Sequence, residues 1–189
     1  RDRKRGGAWM DDCMGRKVRA NGELQTPVAY LVCNFNKAVG DKPALFTHDE
    51  VTTLFHEFGH GIHHMLTQVD AAPVAGINGV AWDAVELPSQ FLENWCYDEE
   101  ALSFISGHYE TGEPLPKELL DKLLAAKNYN SGVQMLRQIE FSLFDFKIHN
   151  DYKVGEQCQI QAVLNDVRSR TSIVKPPEFN RFQNGFSHI

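Results

Sequence analysis

The sequence predicts a predominantly α-helical α+β fold with a small sheet beside one long helix. Three observations lead there. Apolar residues recur at spacings of three and four after residue 50, and again in several segments beyond residue 98. Residues 28–36 form a nearly continuous apolar, β-branched and aromatic run. Finally, 189 residues at 42% hydrophobic content suffice for one good core without disulfide staples.

Taken in order, residues 28–36 read as a buried or half-buried strand, and Pro43 with Ala44-Leu45-Phe46 suggests a short second strand. Thr47 and Glu50 fit a capping box, in which the threonine hydroxyl bonds the Glu50 amide and the glutamate reaches back. Val51, Leu54, Phe55, Phe58, Ile62, Met65 and Leu66 then form one stripe, so a helix is expected over 48–67. A Gly-containing loop, 75–80, leads to a second helix. Asp83 is its expected N-cap, with Pro88 in the first turn and Val85, Leu92 and Trp95 turned inward. Asp98 caps a helix through Leu102, Phe104 and Ile105, and Thr111-Gly112-Glu113-Pro114 ends the run. Pro116 opens the next helix, Asn130 or Ser131 a longer one reaching Phe146, and Gly155 precedes a last helix through Val167. Phe141, Phe144 and Phe146 are expected in packing, His149 at a helix end, and Pro176-Pro177 in a turn.

Within the long helix the chain reads His56-Glu57-Phe58-Gly59-His60, the pattern H-E-x-x-H. Histidines four apart lie on one helical face, so both rings can reach one zinc ion at roughly 2.0–2.1 Å. Glu57 is placed to take a proton from water activated by that ion. A pair of surface or core-edge histidines is the alternative these residues leave open. A catalytic zinc needs a third protein ligand. The longer pattern with Gly at 63 and His at 66 is absent, since the chain has His63 and Leu66. His63 and His64 lie about two turns beyond His56, on the order of 10 Å along the axis, and are read as outer or exposed residues. Cys33 sits in an apolar run with nothing around it that favours ligation. A carboxylate on the second helix is the better candidate. Glu86, Gln90 and Glu93 share a face there, which is either a metal-facing cluster or a solvated polar face.

The stretch 56–64, followed by Gly76-Ile77-Asn78-Gly79 and by 83–95, resembles the thimet oligopeptidase family of zinc peptidases. Residues 4–11, 40–43 and 186–189 resemble it too, so the likeness spans the chain. It implies a zincin-like catalytic-domain fragment, 1–189, with one Zn2+ held by His56, His60 and Glu86, Glu57 as general base, and Glu93 orienting a ligand. His188 would help bind substrate. It also implies a larger helical N-terminal part and a C-terminal tail outside these residues, hence weak or no activity from this portion alone. The function implied is a zinc-dependent endopeptidase of short peptides. A peptidyl-dipeptidase of the same family, or a non-catalytic zinc-stabilised interaction domain, are the alternatives. Residues 28–36 could align an extended peptide by strand addition or simply form core.

Composition narrows the partners. A formal charge of −6 without a basic stripe argues against nucleic acid. No apolar run of about 18 residues exists, so no membrane span is expected. Cys13, Cys33, Cys96 and Cys158 lack C-x-x-C spacing and fit reduced thiols, which suits a cytoplasmic protein without a signal peptide. A monomer acting on short peptides is the expectation.

Overall fold

The computed structural model describes residues 6–155, 157 and 159–186. The fold is α+β and mostly helical, with two small antiparallel sheets. The chain divides into two compact units, Arg1–Leu120 and Asp121–Ile189.

The first unit is built around α1, His48–Met65. Its start is fixed by the capping box: Thr47 Oγ1 accepts from the Glu50 amide at 3.2 Å, and Glu50 Oε2 accepts from the Thr47 amide at 2.8 Å. On one side α1 meets a two-stranded sheet of β1 (Trp9–Met14) and β4 (Val28–Val32). Trp9 pairs with Val32, Asp11 with Tyr30 and Met14 with Val28, with a bulge between Asp12 and Met14. The second sheet pairs β2 (Lys17–Val18) with β3 (Leu24–Gln25). On its other side α1 packs on α2, Leu87–Glu93.

Two glycines let both layers close on one helix. A Cβ on Gly61 would meet Leu31 Cδ2 at 3.3 Å. On Gly59 it would fall 2.6 Å from the Pro88 carbonyl oxygen and 2.6 Å from Ser89 Cα. Residues two apart on a helix point about 200° apart, which puts the sheet and α2 on opposite flanks of α1.

Several expected boundaries move. β4 stops at Val32, and residues 44–46 form no strand. Phe46 instead packs on Phe35, ring centroids 4.4 Å apart, and the partner of β4 is β1. The second helix starts at Leu87 with Glu86 as N-cap, while Asp83 lies in the preceding turn. Pro88 does sit in the first turn, and a 3-10 turn over Asn94–Tyr97 follows. The inward residue of α2 is the fully buried Ser89, while Trp95 stays 46% exposed. The physical reason is the close approach at Gly59, which leaves no room there for a larger side chain. α3, Glu99–Ile105, is capped by Asp98 as expected, its carboxylate accepting from the Ala101 amide at 2.8 Å. The helix opened by Pro116 is α4, Lys117–Lys127.

The second unit pairs α5 (Ser131–Asn150) with α6 (Ile160–Thr171). Asn130 enters α5 at φ 56°, the left-handed region that asparagine tolerates. Phe144 is buried and Phe141 stacks on Phe182 at 5.0 Å, but Phe146 is largely solvent-exposed, contrary to the packing expected of it. Glu140, also buried, accepts from Arg168 Nε and Arg137 Nη1, each at 2.9 Å, so its charge is fully matched. No helix among the described residues is long and apolar enough to cross a membrane.

Candidate metal centre and its relatives

His56 and His60 stand on one face of α1, their rings 5.0 Å apart and nearly perpendicular. Glu86, at the N-cap of α2, turns its carboxylate to both. Oε2 lies 3.1 Å from His56 Nε2 and 3.1 Å from His60 Nε2. These three donor atoms lie within 4.8 Å of one another, a grouping able to hold a metal ion. With bonds of 2.0–2.1 Å, the edge between tetrahedral ligand atoms would be about 3.3–3.4 Å. The observed spacings are close to that.

Outer contacts set each donor. His56 Nδ1 lies 2.7 Å from Glu93 Oε1. A carboxylate only accepts, so Nδ1 carries a proton, which leaves Nε2 as the nitrogen a metal would take. In the neutral ring that ligation needs, the Nε2 lone pair would face Glu86 Oε2 across 3.1 Å. Two acceptors in this position repel unless a positive charge lies between them, and a cation meets that requirement. Buried Ser89 steadies Glu86: its Oγ is 2.8 Å from Oε2 and 2.9 Å from the Glu86 carbonyl oxygen. Gln90, grouped with the glutamates by helical spacing, is exposed.

Burial tunes the rest. Glu57 is 6% exposed, and its carboxyl is pushed above 4.5, first by desolvation and also by the Glu86 charge, against the opposing pull of His56. His60 is lowered from 6.5, chiefly by burial against the opposing pull of Glu86, which favours the neutral ring that ligation needs. Its Nδ1 is buried without a hydrogen-bond partner among the described residues. The two histidines and both Glu57 and Glu86 line a cleft of about 270 Å3, with Trp9 and Met10 of β1, Ile77 and Trp82 also on its surface. The strand beside this cleft is therefore β1; β4, the segment considered for peptide alignment, is its paired neighbour.

The sequence match extends over the whole chain: the model of peptidase family M3 matches residues 1–189. The chain belongs to peptidase family M3. Oligopeptidase A of Haemophilus influenzae is 63% identical over all of this chain and 28% of its own length. Oligopeptidase A of Escherichia coli is 62% identical over the same shares. Dipeptidyl carboxypeptidase of Escherichia coli is 38% identical, over 79% of this chain and 21% of the relative. This M3 chain thus spans little more than a quarter of the length of the curated relatives it matches most fully.

Of the residues singled out from sequence, His56, His60, Glu86, Glu57 and Glu93 come together around one point. His188 lies outside the described residues. His64 is not exposed: it is fully buried, 2.9 Å from the Met14 carbonyl oxygen. Gly59 and Ser89 were not singled out. The only signal for them is smallness at facing helix positions, which becomes informative once the two helices are known to cross there.

Proposed function

We propose that this chain carries the catalytic centre of a zinc-dependent endopeptidase acting on short peptides. His56, His60 and Glu86 would hold one zinc ion and Glu57 would serve as general base. The convergence of the two Nε2 atoms and Glu86 Oε2 at 3.1 Å carries the reading. Zinc, when bound, supplies a Lewis acid that makes water more acidic and polarises a carbonyl.

The chain's own residues do the remainder. Glu93 fixes the ring and tautomer of His56, and Ser89 fixes Glu86, so neither ligand needs reorganisation. Glu57, buried and raised above the ordinary carboxylate range, is suited to take a proton from the attacking water and deliver it to the leaving amine nitrogen. Trp9, Met10, Ile77 and Trp82 offer apolar surface to a peptide side chain. The names of the relatives support short peptides as substrates. A peptidyl-dipeptidase remains the second reading, favoured by the likeness to the dipeptidyl carboxypeptidase. A purely structural zinc site is disfavoured, because such sites are closed by four ligands, usually cysteines, and have no use for a buried glutamate beside them.

The test is metal content and peptide hydrolysis in the full protein. Glu57→Gln should keep zinc and lose turnover, whereas Glu86→Ala should lose zinc. Loss of zinc in the first, or wild-type affinity in the second, would contradict the assignment.

A further inference from the structure

His64 stands one turn beyond His60 on α1 and is completely buried, yet none of the chemistry above uses it. Its Nε2 lies 2.9 Å from the carbonyl oxygen of Met14, the last residue of β1. A carbonyl only accepts, so Nε2 carries a proton. Its Nδ1 accepts from the Ile77 amide at 3.3 Å, so Nδ1 carries none. The ring is therefore a neutral imidazole of one defined tautomer, and both its nitrogens are spent on backbone.

The turn it grips is shaped around it. Gly76 sits at φ +64°, and a Cβ there would fall 2.4 Å from His64 Nδ1 and 3.0 Å from its Cα. No other residue fits, for backbone and for space. Ile77, whose amide His64 holds, lines the cleft directly. At the strand the link is indirect: β1 runs in one sheet with β4 across the bulge between Asp12 and Met14, so anchoring Met14 ties down the end of the strand whose other end, Trp9 and Met10, lines the cleft. Asn78 Nδ2 donates to Asp12 Oδ2 at 3.2 Å, a second tie between turn and strand.

We propose that His64 is a positioning residue of the cleft: as an Nε2–H imidazole it fastens β1 and the Gly76–Ile77 turn to the helix that carries His56, Glu57 and His60. The inference rests on the cleft being a peptide site. Metal affinity should be indifferent to His64, because no donor atom touches it, while peptide affinity should depend on it.

The full protein is assayed with His64→Gln, which can still donate to Met14 but no longer accepts from Ile77, and with His64→Asn, which keeps an acceptor near Ile77 but cannot reach Met14. Zinc content should stay at the wild-type level in both. KM for a short peptide should rise roughly tenfold in His64→Gln, the loss of one buried hydrogen bond, and less in His64→Asn. Folded variants with unchanged KM would overturn the proposal. Should the variants fail to fold, nitrogen NMR of the wild-type protein decides. His64 must show a protonated Nε2 and an unprotonated Nδ1, and titrating a peptide into Glu57→Gln must shift the Ile77 amide and the His64 ring. The opposite tautomer, or peptide binding that leaves both unmoved, overturns it. Failure of the wild-type protein to bind zinc would sink the site reading instead, and the tautomer result would stand apart from it.

Discussion

Replacing Gly59 with Ala adds one methyl group at the tightest point between α1 and α2. The added carbon would lie 2.6 Å from the Pro88 carbonyl oxygen, 2.6 Å from Ser89 Cα and 3.0 Å from the Pro88 carbonyl carbon. All three are backbone atoms, so no side chain can swing aside. Ordinary contact begins at 3.4 Å, and the helices must part by about 0.8 Å to reach it. Glu86 precedes α2 directly and moves with it, and His60 is the next residue after Gly59 on α1. The 3.1 Å spacings would then widen beyond the edge of about 3.3–3.4 Å that one zinc ion can span, and beyond the roughly 0.5 Å tolerance of a positioned site. Overpacking of this kind costs about 1–3 kcal/mol. Alanine returns about 0.8–1.0 kcal/mol of helix propensity, so the net should be destabilising. Zinc affinity should fall on the order of 10–100-fold, as for loss of an outer partner of a metal ligand. Urea denaturation with and without zinc, and chelator competition, measure the two effects separately. A variant as stable as the wild type with undiminished zinc affinity would refute the reasoning.

Other perturbations follow from the same geometry. Glu93→Gln weakens the acceptor of His56 Nδ1 and should lower zinc affinity about 10–100-fold, read by chelator competition. In metal-free protein, the folded carboxyl of Glu57 titrates above its unfolded value of 4.5, so stability should fall as pH rises through that window. Glu57→Gln should flatten this part of the stability profile, and an unchanged slope in thermal melts would count against it. His60 titrates below 6.5 when folded, so its contribution is present at neutral pH and lost as pH falls through the lowered value. Zinc binding should therefore hold at neutral pH and weaken below 6.5, measured by titration across that range.

What could be read from sequence follows from the range over which the information is written. Both histidines, Glu57 and the capping box lie within 14 residues of one helix, and i, i+4 spacing states their geometry outright. Glu86 and Glu93, seven apart, were grouped on one face by the same periodicity, and both reach His56. β1 is not legible in the sequence, because Asp11 and Asp12 interrupt any alternation in Trp9–Met14. Its strand character comes from pairing with β4 and from the anchor at Met14, both contacts distant in sequence. The burial of His64 is not legible in the sequence for the same reason: its partners are 50 and 13 residues away. Asp83 has the chemistry of a cap, which predicts a start of α2 three residues before the observed one. Chain direction around Glu86 was dictated instead by the contact at Gly59.

The centre also bears on stability. Three carboxyl groups, Glu57, Glu86 and Glu93, gather around two imidazoles, and the proton on His56 Nδ1 is already committed to Glu93. Facing lone pairs at His56 Nε2 and Glu86 Oε2, together with the desolvated Glu57, oppose the contact between α1 and α2 that packing at Gly59 and Ser89 enforces. A bound cation turns that opposition into attraction. Whatever binds the folded state alone stabilises it by mass action, so zinc should fasten the two helices as well as serve the chemistry. With both imidazoles neutral, the charges at the helix crossing therefore oppose it when the metal is removed. Chelation should lower the unfolding temperature of the first unit, and Glu86→Gln, which removes the facing charge, should make the metal-free form the more stable of the two variants. Equal metal-free stabilities would mean that packing alone decides the crossing and that the charges there are fully solvated.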